Sequence, residues 1–224
     1  MTMLARRPQA VIFDMDGLML DTEPLAARAW SDAARACAMS FDPAVAPRLV
    51  GRTFADCREL IVAHHGADYG VDALMGAWHD AYDAIVAREG VPIKPGLVEL
   101  LDWLDAQRIA RAVATSTRRE RAHAKLAAAS LLDRFAAIVG GDEITRGKPD
   151  PEIFLVAAAR IGTPPEGCLV LEDSPAGFEA AVRAGMTAIV VPDLCEPPEQ
   201  VLGVRPQVKR TLHEVRDHLA ALAG

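Results

Sequence analysis

Five short, largely apolar runs rich in branched residues recur along the chain, and each gives way to polar residues or glycine. These runs are Ala10–Phe13, Ala110–Ala114, Ala136–Val139, Leu169–Leu171 and Ala188–Val191. Continuous rather than alternating apolarity is typical of strands that are buried on both faces. The helix-like stretches between them are Leu97–Gln107, Arg119–Ala129, Pro151–Arg160 and Ala176–Ala184. Strands that alternate with helices predict an α/β fold built on a doubly wound, Rossmann-like parallel sheet.

The segment from residue 23 to residue 90 breaks this alternation. It is rich in alanine, places apolar residues at helical spacing and contains no convincing strand. Two prolines and a glycine in Val91–Gly96 mark the return of the chain and indicate a hinge. A chain of 224 residues can form two unequal domains. We therefore predict an α/β core of residues 1–22 and 91–224, with an inserted α-helical domain of residues 23–90.

The balance of charge argues against one class of function. The chain carries 24 lysines and arginines against 31 aspartates and glutamates, which gives a formal net charge of −7. Nucleic-acid binding relies on clustered basic residues that neutralise phosphates, so we expect no nucleic-acid partner. A small anionic substrate, in contrast, needs only a local positive pocket.

The N-terminal residues and the cysteines indicate the compartment. Met1–Arg7 leads into Ala10–Phe13, an apolar run that is too short for a signal peptide or a membrane span. The four cysteines are far apart and form no Cys-x-x-Cys pair, which indicates reduced thiols rather than a zinc site or a disulfide framework. We therefore expect a cytoplasmic protein without a membrane partner, and we take a monomer as the default.

Chemically active residues follow three of the predicted strands, and one further motif, Gly147-Lys148-Pro149, precedes the helix and strand of the fourth unit. The short motifs are Asp14-Met15-Asp16-Gly17, Thr115-Ser116, Gly147-Lys148-Pro149 and Glu172-Asp173-Ser174. In open parallel sheets ligands bind beyond the carboxyl ends of the strands. We therefore expect carboxylates, a hydroxyl and a lysine to converge on one edge of the sheet.

Four carboxylates gathered at one edge would repel one another and resist ionisation unless a cation joined them. Mg²⁺ typically takes one or two carboxylates and shares the phosphate oxygens of a substrate, which matches this sparse acidic set. Lys148 and the Thr115 hydroxyl are suited to hold the remaining phosphate oxygens. A carboxylate can then attack phosphorus, and Asp16 is placed for proton transfer.

The four motifs, taken together and in order, resemble those of the haloacid dehalogenase superfamily. The resemblance covers nearly the whole chain and is to the branch of beta-phosphoglucomutase-like and sugar-phosphate phosphatases. The matching segments are Asp14-Met-Asp-Gly-Leu-Met-Leu-Asp21-Thr22-Glu23-Pro24, Ala114-Thr115-Ser116, Gly147-Lys148-Pro149-Asp150-Pro151, and Glu172-Asp173-Ser174-Pro-Ala-Gly177 through Ala184-Gly185-Met186. The helical insertion resembles the cap domain of that family.

This resemblance implies catalytic roles for four residues. Asp14 is expected to be the nucleophile and Asp16 the general acid and base. Thr115 and Lys148 are expected to anchor the phosphate and the nucleophile.

The resemblance also implies a magnesium site. Its expected ligands are the side chains of Asp14 and Asp173 and the main-chain carbonyl of Asp16. We place Glu172 with this metal group, next to the ligands.

Two further assignments have open alternatives. Thr115 and Ser116 are expected to bind phosphate, and both are also placed to cap the helix that begins near Arg118. Arg52 lies in a segment that is near the substrate in the resembling family, and a plain surface arginine is the alternative. We interpret the other conspicuous side chains of the insertion as packed or solvated groups rather than ligands: His64, His65, His79, Trp30, Trp78 and Tyr82.

The function predicted from these residues is Mg²⁺-dependent hydrolysis of a small phosphate ester through an aspartyl phosphate. Carbon–halogen hydrolysis is an alternative within the superfamily, but dehalogenating relatives lack an acid at the place of Asp16. A sugar-phosphate mutase is a second alternative, and Ala26 stands where the mutase carries a histidine. A non-catalytic phosphate-binding module is a third, against which the complete set of motifs counts.

Overall fold

The computed structural model describes residues 7–49 and 54–222. The chain forms two compact units. One contains the described residues up to Leu20 and those from Ile93 onward, and the other runs from Asp21 to Pro92.

The first unit is built on a six-stranded sheet in which all neighbouring strands are parallel. The strands are β1 (Ala10–Phe13), β2 (Ala110–Ala114), β3 (Ala137–Val139), β4 (Cys168–Glu172), β5 (Thr187–Val190) and β6 (Gln207–Val208). Their order is β3-β2-β1-β4-β5-β6, so β1 and β4 lie side by side at the centre. This arrangement confirms the predicted doubly wound parallel sheet.

The observed strand ends differ slightly from the predicted ones because pairing with a neighbour, rather than apolarity, sets where a strand stops. Strand β4 extends to Glu172, whose pairing partner on β5 is Val190. Strand β6 was not predicted, since two residues are too few to give a recognisable apolar run.

The second unit contains four α-helices among its described residues and no strand there. They are α1 (Glu23–Ala36), α2 (Ala46–Leu49), α3 (Phe54–His65) and α4 (Val71–Glu89). Arg28 on α1 donates to both carboxylate oxygens of Glu89 on α4, at 2.6 and 2.7 Å.

Aromatic rings fill the interior of the second unit. Trp30 and Tyr82 are 5% and 3% exposed, and the ring of Trp78 lies 5.2 Å from each of theirs. These rings are therefore packing groups, as predicted. The histidines pack as well: His65 stacks on Tyr69 with 4.1 Å between ring centroids.

The remaining helices belong to the first unit. They are α5 (Leu97–Ala106), α6 (Arg119–Ala128), α7 (Glu152–Arg160), α8 (Pro175–Arg183) and α9 (Leu212–Ala221). Four of them match the predicted stretches to within a residue at either end. Helix α9 was not predicted, although Thr211 caps it by accepting from the Glu214 N–H, in the Thr-x-x-Glu pattern of a helix start.

The core lies between the central strands and the helices. Every residue of β1 and β4 is buried, and Phe13, Phe154 and Phe178 are among the largest fully buried side chains. Such packing fixes the ends of β1 and β4 relative to each other, and these ends carry the acidic motifs. Within the described part of the chain, no helix is both long and apolar enough to cross a membrane.

Candidate active site

The turn after β1 carries the first acidic motif. Asp14 is 7% exposed, and its N–H donates to the Leu171 carbonyl at 3.0 Å, which ties the turn to β4. Gly17 has a φ of +85°, and a Cβ at this position would collide with Asp173 Oδ2. The turn therefore requires glycine for both its backbone conformation and its close approach to the neighbouring carboxylate.

Lys148 joins three strand ends. Its Nζ donates to Asp14 Oδ1, to Glu172 Oε1 at 2.6 Å and to the Ala114 carbonyl at 3.2 Å. The side chain is 7% exposed. Burial lowers the pKa of Lys148, but the charges and hydrogen bonds of the two carboxylates outweigh burial and raise this pKa above its ordinary value. Lys148 therefore stays charged in a buried place.

Glu172 is fully buried and both of its oxygens are engaged by the protein. Oε1 accepts from Lys148. Oε2 accepts from the N–H groups of Asp173 and Ser174 and from the Ser174 hydroxyl, each at 2.9 Å. A Cβ on Gly177 would overlap this carboxylate, so the start of α8 must be glycine here. The geometry suits Glu172 to holding Lys148, and its placement next to the metal ligands stays a prediction.

Burial opposes the ionisation of two carboxylates at this edge of the sheet, Asp14 and Asp173. Burial raises the pKa of Asp14 to about 7, with Lys148 opposing the rise and Glu172 and Asp16 adding to it. Burial also raises the pKa of Asp173 well above its ordinary value, and the charges of Glu172 and Asp14 add to this effect. Such a pair is destabilised when ionised unless a cation accompanies it.

Asp193 is a further carboxylate at this edge of the sheet, which the sequence analysis missed. Its Oδ1 accepts from Lys94 Nζ at 2.6 Å. Its Oδ2 is buried without a hydrogen-bond partner in the described part of the chain, and it lies 3.4 Å from where a Cβ on Gly17 would stand. The residue follows β5, so the rule that polar groups after parallel strands form sites could have identified it.

These observations test whether the residues fit a magnesium ion. Among the described residues, no group of three or more His, Cys, Asp or Glu side chains forms a metal site. Asp14 and Asp173 are instead two buried carboxylates with raised pKa values. The Asp193 oxygen that lacks a partner in the described part of the chain lies, like Asp173 Oδ2, close to Gly17. Because Mg²⁺ is usually bound by one or two carboxylates with water and substrate oxygens, the residues fit it.

Asp16 is held by two side chains that the sequence analysis did not single out. Its Oδ1 accepts from Lys125 Nζ at 2.6 Å, and its Oδ2 accepts from the Thr117 hydroxyl at 2.7 Å. Thr117 directly follows the predicted Thr115-Ser116 pair. Lys125 lies within α6, and nothing in the sequence distinguishes it from an ordinary lysine on a helix.

The Thr115-Ser116 segment follows β2. Thr115 is 1% exposed, its N–H donates to the Val139 carbonyl at 3.0 Å, and its Oγ1 accepts from the Thr117 N–H at 3.1 Å. Ser116 is exposed. The alternative helix-capping role for these two residues is wrong, because the first N–H of α6, on Arg119, donates to Asp142 Oδ1 at 2.8 Å instead.

The structure thus brings together Asp14, Asp16, Thr115, Lys148, Glu172 and Asp173, with Ser116 beside Thr115. Arg52, the remaining candidate, lies outside the described residues.

Comparison with known proteins places this geometry in a family. The model of the haloacid dehalogenase-like hydrolases matches residues 8–185. The phosphorylated carbohydrates phosphatase of Thermotoga maritima is 33% identical over 181 residues, which are 81% of this chain and 83% of that protein. The beta-phosphoglucomutase of Bacillus subtilis is 33% identical over 189 residues, or 82% of this chain and 83% of the other.

A solved structure agrees in fold. The crystal structure of CbbY from Rhodobacter sphaeroides in complex with phosphate superimposes with a TM-score of 0.78 at 26% identity. The superposition covers 93% of this chain and 96% of that chain.

Proposed function

This chain belongs to the haloacid dehalogenase-like hydrolase family and is a phosphoric monoester hydrolase, and we propose that it uses Mg²⁺ and a phosphorylated Asp14 to hydrolyse a small phosphorylated metabolite. The observation that carries the proposal is the buried ammonium of Lys148, which joins Asp14 to Glu172 beside the buried carboxylate of Asp173. An anionic phosphoryl group next to two carboxylates needs this positive charge.

The proposed reaction has two steps. An oxygen of Asp14 attacks phosphorus, the ester P–O bond breaks, and the leaving oxygen takes a proton from Asp16. Water then attacks the phosphorylated Asp14, gives its proton to Asp16, and releases inorganic phosphate and the free carboxylate. Lys148 stabilises the charge on the phosphoryl oxygens in both steps.

The side chains of Asp14 and Asp173 and the main-chain carbonyl of Asp16 would hold the magnesium ion. When bound, Mg²⁺ supplies positive charge that offsets the charge of the phosphoryl group and of the two carboxylates. In this proposal Glu172 lies next to the metal ligands and holds the Lys148 ammonium in place through their hydrogen bond.

Thr115 and Ser116 are proposed to bind the phosphate oxygens. Thr115 is held rigidly at the end of β2 by its bond to Val139, and the exposed Ser116 is accessible to substrate. Arg52 is retained as a proposed substrate-binding residue of the inserted unit on the basis of the resemblance.

A sugar phosphate, or a compound similar to one, is the proposed substrate class. The Thermotoga relative is named for phosphorylated carbohydrates, and the Bacillus relative is named a mutase of a sugar phosphate. Against the mutase stands Ala26 on α1, whose methyl group cannot serve in place of the histidine of the resembling mutases. The cytoplasmic location and monomeric state remain predictions.

A panel of sugar phosphates, incubated with and without Mg²⁺, tests the proposal. We expect inorganic phosphate and free sugar from at least one compound, with no turnover when Mg²⁺ is removed by a chelator. A hexose 1-phosphate should yield the free hexose rather than the 6-phosphate, even with a sugar bisphosphate added as activator. Isomer that forms faster than inorganic phosphate would favour the mutase, and no turnover on any ester would favour the binding module.

Asp173→Ala should abolish Mg²⁺-dependent activity and leave the fold largely intact. Thermal unfolding with and without Mg²⁺ reports metal binding independently of activity. At a Mg²⁺ concentration a hundredfold above the dissociation constant, binding stabilises a protein by about 2.7 kcal/mol. We expect this Mg²⁺-induced stabilisation in the wild type and its loss in the variant. Without Mg²⁺ the free energy of unfolding of the variant should lie within about 1 kcal/mol of the wild-type value or above it. The reason is that the variant loses a buried charge that repels its neighbours. A variant with unchanged Mg²⁺ demand would remove Asp173 from the site.

A further inference from the structure

Both oxygens of the Asp16 carboxylate have partners from the segment that follows β2. Lys125 Nζ lies 2.6 Å from Oδ1, and Thr117 Oγ1 lies 2.7 Å from Oδ2. The Lys125 and Asp16 side chains are 14% and 24% exposed. The ion pair is therefore largely withdrawn from water, in contrast to the surface pairs of this chain.

A lysine in this position needs an explanation. Its side chain loses about 2 kcal/mol of rotamer entropy when it is fixed, and its ammonium loses hydration when it is buried. A lysine near the C-terminus of α6 would also interact favourably with the helix dipole if it faced water. The side chain instead reaches Asp16, so the burial of Lys125 places its charge against this carboxylate.

Lys125 and Thr117 differ in the hydrogen bonds that they can make with Asp16. The Lys125 ammonium can only donate, so Oδ1 accepts. A proton on Oδ1 would replace this strong bond to a carboxylate oxygen by a weaker bond to a hydroxyl oxygen, so protonation favours Oδ2. The Thr117 hydroxyl can either donate or accept. It can therefore bond Oδ2 whether that oxygen is ionised or protonated. The arrangement distinguishes the two oxygens of one carboxylate.

We propose that Lys125 is a positioning residue for Asp16, which fixes the carboxylate and assigns the transferable proton to Oδ2. This inference rests on the proposed function, in which Asp16 protonates the leaving oxygen. The proton passes from Oδ2 to that oxygen as the ester P–O bond breaks, and Asp16 is left as a carboxylate that faces the Lys125 charge. In the second step a proton from water returns to Oδ2.

Leaving-group dependence tests this role, because a nitrophenolate departs without a proton whereas an alkoxide requires one. The probes are p-nitrophenyl phosphate and an alkyl phosphate, chosen as the best substrate of the sugar-phosphate panel. In Lys125→Met we expect kcat/KM for the alkyl phosphate to fall about ten- to a hundredfold. The kcat/KM for p-nitrophenyl phosphate should change less than about threefold. Lys125→Arg, which keeps the charge and the donor, should recover most of the loss.

A pre-steady-state measurement gives a second readout. If attack by water on phosphorylated Asp14 also depends on a positioned Asp16, Lys125→Met should release a burst of p-nitrophenol followed by a slow steady rate. The matched control is Lys209→Met, which removes a lysine from the segment after β6 and should leave both kcat/KM values unchanged.

Three outcomes are decisive. Equal losses on both substrates, without a burst, would overturn the inference and indicate that Lys125 serves substrate binding or folding. Unchanged kinetics would overturn it too. A wild-type protein inactive on every ester would refute the proposed function instead. If Lys125→Met unfolds at the assay temperature, Lys125→Gln, which keeps a donor without charge, replaces it with the same expected difference between substrates.

Discussion

Asp14→Asn should lower the turnover of every phosphate ester by on the order of 10⁴-fold or more and should remove the phosphorylated form of the protein. The amide that replaces the carboxylate is a poor nucleophile and cannot form an acyl phosphate. The fold should tolerate the change, since burial already raises the pKa of Asp14 to about 7 and so disfavours its charge. Steady-state kinetics and intact-protein mass spectrometry after acid quench measure the two effects.

Asp16→Asn is the matched comparison, because it removes a carboxylate two residues away without removing the nucleophile. This variant should still become phosphorylated by p-nitrophenyl phosphate, whose leaving group needs no proton, and should lose its phosphate slowly. A phosphorylated Asp14→Asn protein would refute the assignment of the nucleophile. A phosphorylated form absent from both variants and from the wild type would point to direct attack by water.

The parts of the site that could be predicted from the sequence are those set by local rules. Asp14, Thr115 and Asp173 each come directly after a strand or at its end, and parallel strands bring their carboxyl ends to one edge. The apolar runs predicted these strands because strands that are buried on both faces are continuously apolar. The glycine after Asp16 was visible as part of a motif, whereas its collision with Asp173 appears only in three dimensions.

What could not be predicted depends on contacts between residues far apart in the chain. Lys125 reaches Asp16 across 109 positions, and Lys94 reaches Asp193 across 99. Neither lysine belongs to a recognisable motif. The direction of each side chain depends on how its helix or loop packs on the sheet, which the sequence does not show. The role of Glu172 could not be predicted for the same reason. Its contact with Lys148 depends on the close approach of Gly177 to its carboxylate.

The largest loss of stability is expected from Lys148→Met. Lys148 is the shared partner of Asp14 and Glu172, and all three side chains are at most 10% exposed. Removal of one partner from a buried ion pair costs about 3–5 kcal/mol, because the remaining charge loses its compensation. Here two carboxylates lose it together, while methionine preserves most of the volume of the lysine stem and avoids a cavity.

Lys148→Met should therefore lower the free energy of unfolding by about 3–5 kcal/mol in the absence of Mg²⁺ and lower kcat/KM by on the order of 10²–10³-fold. Urea unfolding and steady-state kinetics measure the two effects, and Lys209→Met controls for the loss of a lysine elsewhere. Combining Lys148→Met with Glu172→Gln should restore part of the stability, because one of the two stranded charges is removed. The double variant should not regain activity, since the phosphoryl group still lacks the stabilising charge of the Lys148 ammonium. Stability within about 1 kcal/mol of the wild type in the single variant would mean that the fold does not depend on the Lys148 charge, for instance because Asp14, whose pKa burial raises to about 7, takes up a proton. Lys148 would then serve catalysis rather than the fold.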